Sequence, residues 1–62
     1  MCLSSIYKKS DGENVFLFKN VARVICNDGE LTVYDLMGAC TKIKGKICDI
    51  DLMENIILIK EL

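Results

Sequence analysis

Four cysteines, at positions 2, 26, 40 and 48, are the side chains of this sequence best suited to binding a metal, and histidine is absent. No two of them form a C-x-x-C pair, so the usual spacing of a structural zinc site is missing. Cys26, Cys40 and Cys48 lie within apolar segments, where a free cysteine typically packs as a small hydrophobic residue. The pattern therefore leaves Cys2 as the candidate metal ligand.

Cys2 differs from the other three because it directly follows Met1. A small second residue normally permits removal of the initiator methionine, and Cys2 would then carry both a free α-amine and a thiol. Their reference pKa values are about 7.7–8.0 and 8.5, so a metal displaces both protons at modest cost near neutral pH. Two such chelates in a dimer offer an N₂S₂ set. A planar N/S set suits Ni(II) or Cu(II), whereas thiolate alone suits Cu(I) or Zn. The alternative is that Cys2 is only a small residue at the start of a strand.

Enzymatic chemistry has little support in this sequence. Without histidine, Ser4 and Ser5 have no imidazole base to activate them. Asp49 and Asp51 are two residues apart and would share one face of a strand, but solvated polar positions near a turn explain them better than a catalytic pair. There is also no glycine-rich phosphate-binding loop. We therefore predict that the protein is not an enzyme.

The composition predicts one small domain, spanning residues 1–62, that associates with a second copy. A domain of this length buries only about 60% of the surface that its unfolded chain exposes. Hydrophobic residues nevertheless make up 52% of the chain. The surplus should lie on the surface, where an apolar patch usually marks an interface. A homodimer with two-fold symmetry is the default expectation.

The charge balance argues against nucleic acid as the main partner. The net charge is −1 and the pI is about 5.2, whereas a phosphate backbone calls for a basic face. Lys42, Lys44 and Lys46 form the one basic stretch, and their alternate spacing places all three on one face of an extended segment. This pattern is typical of a solvated edge strand that lysines protect from aggregation.

The opening residues, MCLSSIYKKS, contain no apolar core long enough for a signal peptide, and no run approaches the ~20 residues of a membrane helix. We expect a cytoplasmic protein that does not enter a membrane. In that compartment the four thiols are expected to stay reduced.

Hydrophobic residues recur with a period of two, which predicts β-strands. Turns are expected at Asp11-Gly12, Asp28-Gly29, Met37-Gly38 and 53–55, with a bend at 19–20 and a kink at Gly45. Six or seven short strands at this spacing predict an all-β fold, a small, partly open SH3-like barrel. The predicted strands are 2–8, 14–18, 21–26, 31–36, 39–44, 46–52 and 56–60.

The last predicted strand has no polar alternation over Ile56–Ile59, so both of its faces should be covered. One face is expected to meet the core and the other the second subunit.

The motifs and their order resemble the CooT family of small nickel-binding proteins, which is associated with maturation of nickel-containing carbon monoxide dehydrogenase. The resemblance covers nearly the whole chain, with Ser4 where the family commonly has Ala. It rests on Met1–Ser4, Asp11-Gly12, Val21-Ala22, Asp35–Gly38, Gly45–Ile47, Asp51-Leu52 and Asn55–Leu58.

This resemblance implies a homodimer of small β-barrels that binds Ni(II), with Cys2 as a ligand and a nickel enzyme as the client. It extends to no other cysteine.

Two alternatives remain open at this point. The Met-Cys opening is also similar to that of the HypC hydrogenase-maturation chaperones, which would make the chain an interaction module that uses Cys2, although they typically have a proline near the opening. Members of the family have also been described as RNA-binding.

Overall fold

The structure is a computed structural model that describes residues 3–62. It contains five strands, which we number in chain order. They are β1 (Ser4–Ser10), β2 (Glu13–Asn27), β3 (Glu30–Asp35), β4 (Cys40–Asp51) and β5 (Ile56–Glu61). The all-β prediction is confirmed.

The five strands close into a barrel in the order β1-β2-β3-β4-β5. Each strand pairs antiparallel with the next, and β5 returns to lie parallel beside β1, from Ser5 opposite Ile56 to Lys8 opposite Ile59. The barrel is therefore closed, not partly open as predicted. Closure also means that β4 is not an edge strand, because it pairs with β3 through its first half and with β5 through its second half.

The strand count is five, not six or seven, because the predicted bend at 19–20 and the predicted kink at Gly45 lie within continuous strands and do not separate them. Asn20 adopts a left-handed backbone with φ 55°, a conformation that asparagine tolerates, and it bends β2 without ending it. The first part of β2 pairs with β1 and the part from Val21 onward with β3. Gly45 has the corresponding position in β4, because it lies where this strand changes its pairing partner from β3 to β5.

Both Asp-Gly turns form as predicted. Asp11 and Gly12 have φ angles of 43° and 84°, and Asp28 and Gly29 have 48° and 79°. Positive φ at both central residues defines the type I′ turn, whose twist matches that of the strands it joins. These turns set the registers of the β1–β2 and β2–β3 hairpins.

The core is very small. Among the described residues, only five hydrophobic side chains are buried. Further hydrophobic side chains, which are half-buried, pack against them. Ile59 and Ile57 of β5 both contribute, so one face of the apolar run does meet the core. The buried side chains are Ile6, Val21, Leu31, Val33 and Ile59.

Gly45 permits a close approach between β4 and β5. It is buried, its N–H donates to the Gly29 carbonyl at 2.8 Å, and a Cβ atom at this position would lie 2.7 Å from the backbone oxygen of Lys60. No side chain can move aside here, because the neighbouring atom belongs to the backbone. Any larger residue must push the two strands apart.

We predict that Gly45→Ala lowers the free energy of unfolding by about 1–3 kcal/mol, the usual cost of overpacking. Urea denaturation followed by circular dichroism measures this change. Lys42→Gln, at an exposed position of the same strand, is the control and should change the free energy of unfolding by less than about 0.5 kcal/mol. Equal stability of Gly45→Ala and the parent protein would contradict the proposed close contact.

Candidate functional site

Cys2, the predicted metal ligand, lies outside the described residues. The structure does define the part of the barrel to which the chain leads from Cys2. Ser4 pairs with Val21 of β2, and Ser5 pairs with Ile56 of β5. The Ser5 N–H also donates to the Asn55 carbonyl at 2.9 Å. The beginning of β1 is thus held between two strands and is not a loose tail.

Two loops approach the beginning of β1 from either side. The loop at 36–39 is attached to β2, because the Leu36 N–H donates to the Asn20 carbonyl at 2.9 Å, next to the Val21 that pairs with Ser4. The loop at 52–55 is attached through Asn55, which accepts from Ser5. Both loops therefore flank the place where the chain enters the barrel.

An aspartate at the end of the preceding strand shapes each loop. The Asp35 carboxylate accepts from the backbone N–H groups of Met37 and Ala39, both at 2.9 Å. The Asp51 carboxylate accepts from Met53 at 3.1 Å and from the following residue at 3.0 Å. Such side-chain-to-backbone bonds are characteristic of aspartate in turns. Asp51 is therefore a turn-forming residue, in agreement with the prediction of polar positions near a turn.

The tips of both loops are apolar and exposed. Met37 is 88% exposed and Met53 is 92% exposed, with Leu36 and Leu52 beside them at 61% and 82%. The sequence predicted turns at these positions but did not single out these side chains. The available signal was the presence of large apolar residues in turns, which are usually polar.

A shallow apolar cavity of about 240 Å³ opens at the same end of the barrel. Arg23, one of its lining residues, also holds its guanidinium over the Tyr34 ring, 5.8 Å from the centroid. The cavity thus combines a mostly apolar lining with one positively charged side chain. The other lining residues are Ser4, Val21, Ala22, Val24, Ile47, Ile50 and Ile57.

The remaining cysteines do not pack as predicted. Cys26, Cys40 and Cys48 are free and exposed. Cys26 is next to the end of β2, Cys40 begins β4, and Cys48 occupies the register shift between Ile47 and Asp49. The barrel wall does not cover side chains at strand ends or at an irregularity, which explains the difference.

These three thiols also lie on separate parts of the barrel wall. Within residues 3–62, no three Cys, Asp or Glu side chains come together as a potential metal site. The same part of the chain contains no helix with the length and hydropathy needed to cross a bilayer.

Comparison with known proteins assigns the chain to a family. The family model described as "CO dehydrogenase accessory protein CooT" matches residues 1–60. The fold is similar to a crystal structure of a protein assigned as CooT from Carboxydothermus hydrogenoformans, with a TM-score of 0.87, 21% sequence identity and coverage of 98% of both chains. No curated protein matches the sequence significantly. The chain therefore belongs to the CooT family of CO dehydrogenase accessory proteins.

Proposed function

We propose that this protein is a nickel-binding accessory protein for the maturation of CO dehydrogenase, and that Cys2 holds the Ni(II) ion. The observation that carries the proposal is the Met1-Cys2 opening within a chain that matches the CooT family over residues 1–60. The family description supports the accessory role in CO dehydrogenase maturation. The nickel ion and its ligand are the further step.

The donor chemistry of an N-terminal cysteine fits Ni(II). The thiolate and the amine nitrogen of Cys2 would form a chelate, and a partner copy would supply the same two donors, a nitrogen and sulfur set that suits Ni(II). Because both groups must lose a proton to bind, nickel and protons compete for the site. Nickel is the cargo in this scheme, so a ligand set that is small and open to exchange is suited to delivery.

The architecture around the beginning of β1 supports this assignment. Ser4 and Ser5 are fixed by pairing with β2 and β5, so the barrel positions the segment that leads to Cys2. Among the described side chains no cluster of metal ligands offers an alternative. Cys26 and Cys48 are exposed single thiols on different strands, which makes them suitable controls.

We also propose that the protein is a homodimer whose interface includes the apolar loop tips. Leu36, Met37, Leu52 and Met53 expose large apolar surface on both sides of the beginning of β1. A second copy would remove this surface from water, which favours association through the hydrophobic effect. A two-fold axis near the beginning of β1 would also bring the two Cys2 residues toward each other.

The family match favours this function over a HypC-like interaction module. An RNA-binding role has weaker support, because the chain has a net charge of −1. The experiments below separate the nickel function from the assembly that it requires.

We predict saturable binding of Ni(II) at a fixed ratio of nickel to dimer by reduced, untagged protein with Cys2 as its first residue. Thiolate-to-nickel absorption and native mass spectrometry measure the binding. Cys2→Ser should lose the absorption band and the bound metal while it retains the circular dichroism of the fold. Cys48→Ser, the matched control, should bind as the parent protein does. Binding by Cys2→Ser at parental affinity would refute the assignment.

A second variant tests the contribution of the α-amine. A glycine added before Cys2 retains the thiol but moves the amine away, so we expect much weaker nickel binding. The affinity of the parent protein should fall as the pH is lowered from 8 to 6, because both donors must release protons. A nickel affinity that is independent of pH and of the added glycine would exclude the chelate.

We predict that Met37→Glu together with Met53→Glu converts the dimer to monomers, because carboxylates would be buried in the interface. Sedimentation velocity ultracentrifugation measures the assembly. Thr41→Glu together with Lys19→Glu is the control, since these positions are exposed outside the two loops. A parent protein that is monomeric at high concentration, or a loop variant that remains dimeric, would contradict this interface.

A further inference from the structure

A row of lysines crosses three neighbouring strands on the outside of the barrel. Lys46 of β4 lies directly opposite Lys60 of β5. Lys8 is opposite Ile59 at the end of the parallel β1–β5 pairing, and the next residues of the two strands, Lys9 and Lys60, line one groove together with Lys46. Lys9, Lys46 and Lys60 are all exposed, and we refer to them as the lysine row.

The lysine row is electrostatically unfavourable for the isolated barrel. Like charges directly opposite each other on neighbouring strands are destabilising. Within residues 3–62, no carboxylate forms an ion pair with any member of the row. The nearby Glu61 is occupied instead, since its carboxylate accepts from the Lys8 ammonium at 3.1 Å. Residues that lower the local stability of a fold are often found at functional sites, so the lysine row is a candidate binding surface.

The row lines an open groove of about 690 Å³, which also includes Lys8, Asp11 and Glu61. Four ammonium groups therefore face two carboxylates, and one of those carboxylates is paired with Lys8. This local excess of positive charge occurs in a chain with a net charge of −1. The groove is suited to an anionic ligand.

An apolar strip runs beside the row on the same face. Tyr7 is two residues from Lys9 on β1, and it pairs with Leu58 on one side and with Phe16 on the other. The Tyr7 and Phe16 rings are in edge-to-face contact, with centroids 5.6 Å apart and planes at 77°. Phe16 is nevertheless 51% exposed. The face thus presents a basic row next to an aromatic strip.

We propose that this face is a docking surface for an acidic protein segment that also carries apolar side chains. Carboxylates of the segment would contact the lysine row, and its apolar side chains would cover Phe16 and Tyr7. A second copy of this chain fits poorly, because a two-fold axis through the face would place one lysine row against another. All five strands are paired within the barrel, so recognition proceeds through side chains and not through strand addition.

This inference extends the proposed function by giving the accessory protein a surface for its client, and it is independent of nickel. Lys9, Lys46 and Lys60 belong to β1, β4 and β5, whereas the proposed metal ligand is Cys2. Docking and nickel binding can therefore be lost separately.

The test compares two triple variants with the same change in charge. Lys9→Gln/Lys46→Gln/Lys60→Gln removes the lysine row, and Lys19→Gln/Lys42→Gln/Lys44→Gln removes three exposed lysines outside the groove. The probe is a fluorescein-labelled synthetic peptide of alternating Glu and Phe, with a Gln and Phe peptide as its neutral control. Fluorescence anisotropy gives the Kd at low and high salt.

We expect the row variant to bind the acidic peptide about tenfold more weakly and the control variant less than twofold more weakly. Binding by the parent protein should fall with added salt, and the neutral peptide should not bind. The melting temperature of the row variant should equal or exceed that of the parent protein, because like-charge repulsion is relieved. Purified CO dehydrogenase, used in place of the peptide, should give the same ranking.

Equal losses in both triple variants would overturn the inference, because they would indicate a general charge effect. Absence of peptide binding by the parent protein would also overturn it. Binding of single-stranded RNA through the lysine row, without binding of the acidic peptide, would overturn it as well. Nickel titration of the same samples distinguishes the two proposals. Normal nickel binding without docking removes only this inference, and docking without nickel binding removes only the metal assignment.

Discussion

The parallel pairing of β5 with β1 is the constraint on which the rest of this structure depends. Without it, the antiparallel strands would form an open sheet with two unpaired edges, which are templates for aggregation. With it, Ile6 lies opposite Ile57 in a closed wall, and Ile6 and Ile59 belong to a core of only five buried side chains among the described residues. Closure in turn requires β4 to reach β5, and Gly45 permits that approach because a Cβ there would meet the Lys60 carbonyl.

Closure also determines where the functional surfaces lie. At one end of the barrel, the pairing of Ser4 and Ser5 with β2 and β5 fixes the entry of the chain between two apolar loops. On the outside of the wall, the registers of β4–β5 and β1–β5 align three lysines from distant parts of the sequence. A core this small has little capacity to bury surface, so its walls and loops remain free for partners. The two proposed interfaces therefore occupy different parts of one barrel, the loop tips beside the beginning of β1 and the lysine row on the wall.

Local patterns predicted local features well. The Asp-Gly turns at 11–12 and 28–29 followed from the positive φ that type I′ turns require, and the period of two predicted the strands. The bend at Asn20 was predicted, but two separate strands were expected around it, because whether a left-handed residue ends a strand or bends it depends on the partners on either side. The exposure of Cys26, Cys40 and Cys48 was missed for a related reason, since an apolar segment does not reveal where the wall stops covering it.

In the functional regions, too, features that depend on neighbouring residues could be predicted from the sequence, whereas features that depend on pairing between strands could not. Cys2 was predicted from the chemistry of its position in the chain, and it stays a prediction because it lies outside the described residues. The lysine row was not predictable, because alternate spacing pointed to Lys42, Lys44 and Lys46 on one strand, whereas Lys9 and Lys60 join Lys46 only through the registers between strands. The exposed methionines of the two loops likewise gain meaning only from their position beside the beginning of β1.

The central claim is that Cys2 holds the nickel ion, and nickel K-edge X-ray absorption on the loaded protein tests it most directly. The account predicts sulfur as well as nitrogen in the first coordination shell of the parent protein and of Cys26→Ser. It predicts that the sulfur contribution disappears in Cys2→Ser. A shell of oxygen and nitrogen alone in the parent protein, or a sulfur contribution that survives in Cys2→Ser, would contradict it.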